Sequence, residues 1–344
     1  MNRIAALLLF LACLWSDLPA QVGADFDLFG EETPLRMKLV FDYKALVKKK
    51  NQEPEYQDAE LTIYPTPTDS ITRTIRVKAR GEFRRRYCSF PPIRFNVEDA
   101  DFGLPSLTDQ GKLKVVTTCR DQDIYQTYLY REYMAYKLYN QLTDKSFRVR
   151  MLDITYVDVR GKKAPFRQHG FIIEDDDQVA ARNGCIVFKP ERMPRSSLEQ
   201  HQLTLAAVFN YMIGNTDWAV GNLHNVKILR SANPLEPNYY VVPYDFDYSG
   251  LVDTHYAVPN EQLGIKSVRQ RLFRSTCPTE EELDLVLDLF RQQKAAIFDQ
   301  YTDFPYLREA DKQEALDYLD SFYDIINDPR RVKRTILTDC KNLR

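Results

Sequence analysis

Two stretches, FNYMIGNTDWAVGNLHNVKIL (209–229) and YYVVPYDFDYSG (239–250), place oxygen-bearing side chains at the ends of segments that otherwise read as buried core. Asp217 follows an apolar helical stretch and Asn215. Asn222 and Asn225 lie between it and the apolar run VKIL, and Asp245 and Asp247 end a second apolar strand. Carboxylate and amide oxygens are the hard ligands magnesium takes in small number, leaving the rest of its shell to water or phosphate. Phosphoryl transfer needs such a set: one carboxylate for the nucleophile's proton, and an amide oxygen with another carboxylate to hold cations against the phosphates. Asp217 is then the base, and Asp245, Asp247 and one asparagine hold magnesium or manganese. Spacing favours Asn222, whereas the junction with the following strand favours Asn225. Asn225 is preferred, because an insertion alters loop spacing more readily than a strand junction. Taken alone, Asp217 also suits a turn or a helix terminus; the second pair of carboxylates argues for a site. His224 reads as an ordinary hydrogen-bonded histidine and Trp218 as loop-packing core.

The elements that must position these groups fall into two halves. In the first, residues 35–43, 59–65, 72–81, 91–97 and 112–119 alternate apolar and polar side chains, as strands do. Turn-rich segments such as YPTPTDS separate them, and VKKKNQEPEYQ reads as a solvated hairpin connection. Residues 123–142 have helical spacing, with Tyr130, Met134, Leu138 and Leu142 on one face and the tyrosines as packing residues. A hairpin around Gly161 follows. The second half is mostly helical. One helix opens with Ser196 and Glu199 at capping-box spacing and ends at Gly214; another opens with Thr279 and Glu282; a third covers READKQEALDYLDSFYDII. The expected organisation is a β-rich N-terminal lobe over 30–180 and a helical C-terminal lobe over 181–344 that carries the oxygen-rich loops.

Lys112 and Lys114 alternate with Leu113 and Val115, so both face away from the apolar side of their strand. Lys114, nearer the strand centre, is the candidate phosphate cation, with Glu132 on the next helix as its ion-pair partner. The competing view is a solvated strand face.

Taken in order, several segments resemble the spore-coat-protein-H (CotH) kinase-like family, an atypical branch of the protein-kinase fold. RGEFRRR (80–86) resembles its Arg-Gly-x-x-x-Arg turn, PPIRFNV the strand after it, and KLKVVTTCRDQDIYQTYLYREYMAYKL its strand, Asp-containing turn and helix. HGFIIEDDD resembles the strand that leads to a Glu, and GNTDW and PYDFD resemble the catalytic and metal segments. The likeness covers roughly 35–250. It implies an α+β, two-lobed atypical protein-kinase-like fold and ATP-dependent phosphoryl transfer with magnesium or manganese. Asp217 would be catalytic and Asp245 metal-binding. Lys114, Arg80, Arg84 and Arg85 would serve the nucleotide phosphates, with Glu132 behind the cation and Glu174 at the nucleotide hinge; the run EDDD reads equally well as an acidic surface loop. At the turn this chain carries Glu82 and Phe83 where the family has small polar residues. The partners implied are a nucleotide and an unidentified acceptor, protein or glycan. Two alternatives use the same residues: a catalytically weak pseudokinase serving as a surface or secreted binding protein, and a metal-dependent phosphoester hydrolase, for which the segment offers only His224 as an additional ligand.

Composition sets the setting. Among 344 residues, 47 Lys and Arg face 49 Asp and Glu, a balance that gives no reason to expect nucleic acid or an anionic membrane as partner. Arg3, the short apolar run IAALLLFLACLW and the breaker SDLPAQVGA form a signal-peptide pattern over 1–24, with cleavage after Ala20 or Ala24 and lipidation at Cys13 as the lesser alternative. Export to the periplasm, the cell surface or the medium follows, with no transmembrane segment in the mature chain. Cys88, Cys119, Cys185, Cys277 and Cys340 are scattered without a CxxC pair and read mostly as buried free thiols.

Overall fold

The computed structural model describes residues 26–48 and 52–342. The expected leader at 1–24, with its cleavage sites and Cys13, lies outside the described residues.

Seven strands form the first body. They are β1 (Leu35–Phe41), β2 (Gln57–Tyr64), β3 (Ile71–Ala79), β4 (Ile93–Asn96), β5 (Lys112–Thr117), β6 (Val149–Asp158) and β7 (Phe166–Ile173). Short helices α1 (Tyr43–Lys48), α2 (Phe83–Tyr87) and α3 (Pro105–Thr108) interrupt the connections, and the long α4 (Asp123–Leu142) joins β5 to β6. The five expected strands, the helix at 123–142 and the hairpin around Gly161 all form. The β1–β2 connection contains α1, which periodicity did not signal.

The two-lobed kinase-like fold does not form. The strands close into a barrel in the order β1-β2-β3-β4-β5-β7-β6, with β1 parallel to β6 and the remaining neighbours antiparallel. Alternation tells which side chains share a face but not whether the outer strands of a sheet will meet; here Leu35 pairs with Leu152 and Phe41 with Asp158. The inward side chains, among them Leu39, Leu61, Val77, Phe95, Leu113, Ile154 and Ile172, make a continuous apolar filling. Burying each of the larger ones contributes about 1.5–3 kcal/mol.

A second sheet and the helices build against the barrel's outer face. Next come α5 (Asp176–Arg182), β8 (Cys185–Phe188), α6 (Gln200–Met212), β9 (Val226–Ser231) and β10 (Tyr239–Pro243), the three strands forming an antiparallel sheet in the order β10-β9-β8. Helices α7 (Glu280–Asp303), α8 (Glu309–Ile326), α9 (Pro329–Arg334) and α10 (Ile336–Asn342) finish the chain. α4 packs on β6 and β7 on one side and α7 on the other. That explains why its buried residues run round the helix and not along one stripe: Tyr133, Met134, Ala135, Tyr136, Leu138 and Tyr139 all belong to the second core. Thr279 caps α7 by accepting from the Glu282 N–H, as its spacing predicts. The Ser196 capping box does not form; residues 195–197 make a 3₁₀ turn, and Glu199 itself caps α6 through the N–H groups of His201 and Gln202. Among the described residues no helix is long and apolar enough to cross a membrane.

The cysteines correct another expectation. Cys88 is bonded to Cys119 and Cys277 to Cys340, leaving Cys185 as the one buried free thiol among the described residues. Sequence separations of 31 and 63 hide such pairs from local inspection. Cross-linking a loop of this size removes unfolded-state entropy equivalent to about 3–4 kcal/mol. Cys277→Ser with Cys340→Ser is therefore expected to lower unfolding free energy by about 2–4 kcal/mol in urea titrations, and non-reducing peptide mapping should recover both linked pairs.

Candidate functional site

The loop after α6 is shaped from within. Gly214 has φ +65°, and a Cβ there would collide with the Tyr318 hydroxyl, so only glycine turns the chain at this point. Beyond it, buried Asn215 donates from Nδ2 to Asn210 Oδ1 (2.8 Å) and accepts from the Asp217 N–H (3.0 Å). Arg274 donates from one guanidinium nitrogen to the carbonyls of Thr216 and Trp218. Asn225, at the start of β9, closes the loop: its Nδ2 donates to the Asp217 carbonyl (2.7 Å) and to Asp217 Oδ2 (3.0 Å). His224 Nε2 lies 2.8 Å from Asp217 Oδ1. Each carboxylate oxygen of Asp217 thus has one partner and keeps a lone pair for a substrate proton.

Asp217, Asn225, Asp245 and Asp247 line one cavity of about 390 Å³, together with Arg80, Gly81 and Arg84 from the β3–α2 turn. Leu223, Asn225 and Asp245 all adopt positive φ, at 57°, 51° and 64°. For non-glycine residues this is strained backbone, and such strain concentrates where a side chain must be aimed. The Tyr136 hydroxyl accepts from the Asp245 N–H (2.9 Å) and helps hold that conformation. The Asp245 carboxylate has no hydrogen bond or ion pair among the described residues.

Arg84 anchors the cavity wall. Its Nη2 is 2.5 Å from Glu132 Oε2 and 2.8 Å from Asp247 Oδ2, and its Nε donates to that same Asp247 oxygen (2.9 Å), which also accepts from the Tyr256 hydroxyl (3.0 Å). Three carboxyl groups (Glu132, Asp245, Asp247) share this region with two guanidinium groups, Arg84 and Arg80. Burial first, and then neighbouring carboxylates, raise Asp245 to about 6; burial likewise raises Glu132 to about 8 against the pull of Arg84. Burial lowers Arg80, and Asp245 opposes the shift.

Other expected residues lie elsewhere. Asn222 lines an adjoining cavity of about 300 Å³, which shares Asp217, His224 and Tyr248 with the first. Lys114 does not pair with Glu132; its Nζ is 2.5 Å from Asp176 Oδ1, and Arg84 takes Glu132 instead. Arg85 donates to the Gln52 carbonyl and is not part of the cavity lining. Glu174 is completely buried, and its oxygens are occupied by Arg148 and Arg182, so it ties structure together at the end of β7. Lys227 bonds the other oxygen of Asp176 (2.9 Å) and was missed, although its place between buried Val226 and Ile228 marks it as facing outward.

A magnesium or manganese ion fits only sparsely. Asn225 Oδ1, the Asp245 carboxylate and the free oxygen of Asp247 are hard donors on one cavity. Among the described residues, no three His, Cys, Asp or Glu side chains gather as a metal-holding set. Phosphate oxygens would have to complete the shell, as magnesium commonly requires.

Comparison with protein-family models gives no match, and none of the curated proteins matches significantly.

Removing Arg84 would strand two buried carboxylates, so Arg84→Met is expected to cost about 3–5 kcal/mol by chemical denaturation. Glu132 and Asp245 keep protons in the folded chain at pH values where the unfolded chain has released them. Their folded pKa is raised, so stability declines as pH rises from about 5 to about 8. In chelator-containing buffer the melting temperature should show this decline, and Glu132→Gln should flatten it; an identical slope in the variant would contradict the assignment.

Proposed function

We propose that the protein is an exported ATP-dependent phosphotransferase whose reaction centre is Asp217. The observation that carries this reading is the convergence of Asp217, Asn225 and Asp245 on one cavity with Arg80 and Arg84 at its wall. The resemblance of the same segments to the CotH kinase-like family supports it. The scaffold is not used as support, since chemistry resides in sites and not in folds.

In the proposed step, Asp217 takes the proton of an acceptor hydroxyl. That oxygen bonds to the terminal phosphorus of ATP, the bond to the bridging oxygen breaks, and ADP leaves with the electron pair. Asn225 fixes the Asp217 carboxylate by gripping both its backbone carbonyl and Oδ2, and His224 orients the other oxygen. Arg80 offsets phosphate charge. Asn225 and Asp245 would hold magnesium or manganese, which supplies charge neutralisation at the phosphates. The adjoining cavity, reached across Asp217, gives the acceptor a place separate from the phosphates. Two disulfides suit an oxidising compartment and support export.

A second reading, a binding protein with weak or no catalysis, is favoured by one feature: Arg84 already occupies one oxygen of Asp247. Purified protein with labelled ATP and magnesium or manganese should modify itself or a co-exported protein, and Asp217→Ala should reduce incorporation at least about 100-fold. Undiminished labelling in that variant overturns the catalytic assignment. An ATP-induced rise in melting temperature without any transfer by the native chain selects the binding protein.

A further inference from the structure

Beside the cavity, four cations meet, and two of them share a single carboxylate, Asp176. On β4, Ile93 and Phe95 point into the barrel and Arg94 points out; its cross-strand neighbours on the same outer face are Lys78 on β3 and Lys114 on β5. Arg80, one residue past β3, has its N–H bonded to the Pro92 carbonyl (2.8 Å), which seats it next to the start of β4. From the three-stranded sheet, β9 brings Lys227 to the same place. They are near enough to repel one another, Arg80 with Arg94, Lys114 with Arg80 and Lys227, and Lys227 with Arg94, although Asp176 acts more strongly on both lysines and Asp245 on Arg80.

Among the described residues, Asp176 is shared by Lys114 and Lys227, and Asp245 acts on Arg80 without an ion pair. Arg80 and Arg94 make no ion pair or side-chain hydrogen bond among the described residues, and the Nε of Arg94 is buried without an acceptor. A cross-strand pair of like charges is unfavourable, and a buried guanidinium N–H without a partner costs more again. An anion reverses both penalties.

The cations adjoin the reaction cavity. Arg80 lines it. Lys114 and Lys227 lie 5.8 and 5.5 Å from the ring centre of Tyr244, the residue preceding Asp245. Cations contributed by β4, β5, β9 and the β3–α2 turn offer several positive groups to one anion, and a chain of linked phosphates supplies several oxyanions to meet them.

We propose that Arg80, Arg94, Lys114 and Lys227 form a shelf that binds a chain of at least two linked phosphates, with one end of the chain directed into the cavity toward Asp217. This deepens the phosphotransferase reading and rests on it only for the direction of the chain. Arg94 and Lys227 are the residues it adds. Guanidinium N–H groups and lysine ammonium groups are matched to phosphate oxygens in geometry and charge.

Calorimetric titration at fixed ionic strength, with inorganic tripolyphosphate, orthophosphate, ATP and AMP, tests the shelf. Tripolyphosphate is expected to bind at least ten-fold more tightly than orthophosphate, and ATP more tightly than AMP. Arg94→Gln and Lys227→Gln should each weaken tripolyphosphate about five-fold or more, and Arg94→Lys should restore part of the loss. Arg76→Gln, on the exposed part of β3 and paired with Asp99, controls for general charge and should change binding less than two-fold. Stronger binding of ATP than tripolyphosphate makes a nucleotide the source of the chain; the reverse makes it an inorganic one. Unchanged tripolyphosphate affinity in a folded Arg94→Gln protein overturns the shelf, as does equal binding of tripolyphosphate and orthophosphate by the native chain. The two readings separate cleanly. Arg94-sensitive binding without phosphate transfer leaves the shelf and removes the enzyme; transfer that is indifferent to Arg94 and Lys227 leaves the enzyme and removes the shelf.

Discussion

One guanidinium holds the site's parts in register. Arg84 comes from the short helix between β3 and β4, Glu132 from the middle of α4, and Asp247 from the segment after β10. Barrel, packing helix and second sheet meet at this charge. Buried ion pairs of this kind add little net stability compared with apolar packing, because desolvation offsets most of the attraction. Their effect is on geometry: only one arrangement pairs both carboxylates with the same guanidinium. Asp245, two residues before Asp247, inherits its position from that arrangement, with the Tyr136 hydroxyl on its backbone as a second restraint.

The strain at the site is affordable because the surroundings are rigid. Leu223, Asn225 and Asp245 sit in a backbone region that L-residues avoid, each at a cost of order 1 kcal/mol. They are flanked by some of the most buried residues of the chain: Val226, Ile228, Val241, Val242 and Phe246. The end of α2 is also fixed covalently, since Cys88 follows it and is bonded to Cys119 just beyond β5. Apolar packing on both sides of the acid cluster thus determines where the oxygens can go.

Periodicity made the local elements legible, and with them part of one cavity's lining. Leu113 and Val115 inside with Lys112 and Lys114 outside, the helix over 123–142 and the Thr279 cap are consequences of nearest-neighbour rules, and they form as read. Asp217 and Asp245 were recognisable because carboxylates at the ends of apolar segments have few structural reasons to be there. What escaped was long-range. Barrel closure depends on β1 meeting β6, and the partner of Glu132 depends on whether Arg84 or Lys114 reaches it first. Asn225 lines the same cavity as Asp245 and Asn222 the adjoining one, and the Asn225 amide folds back on the Asp217 carbonyl, a contact with no spacing signature. Arg94 and Lys227 were visible in principle from alternation, but only the meeting of two separate sheets brings them near one another.

The parallel pairing of β1 with β6 has a consequence for how the chain reaches this structure. Leu35 must find Leu152 across more than a hundred intervening residues, a contact with a large loop-closure penalty that slows assembly. Until the second partner exists, the strands from β1 to β5 form at most an open sheet with unsatisfied N–H and C=O groups along both margins, the kind of intermediate that sticks to its own copies. Vulnerability to aggregation is therefore concentrated before the α4–β6 segment docks, and it ends when the last ladder closes the ring.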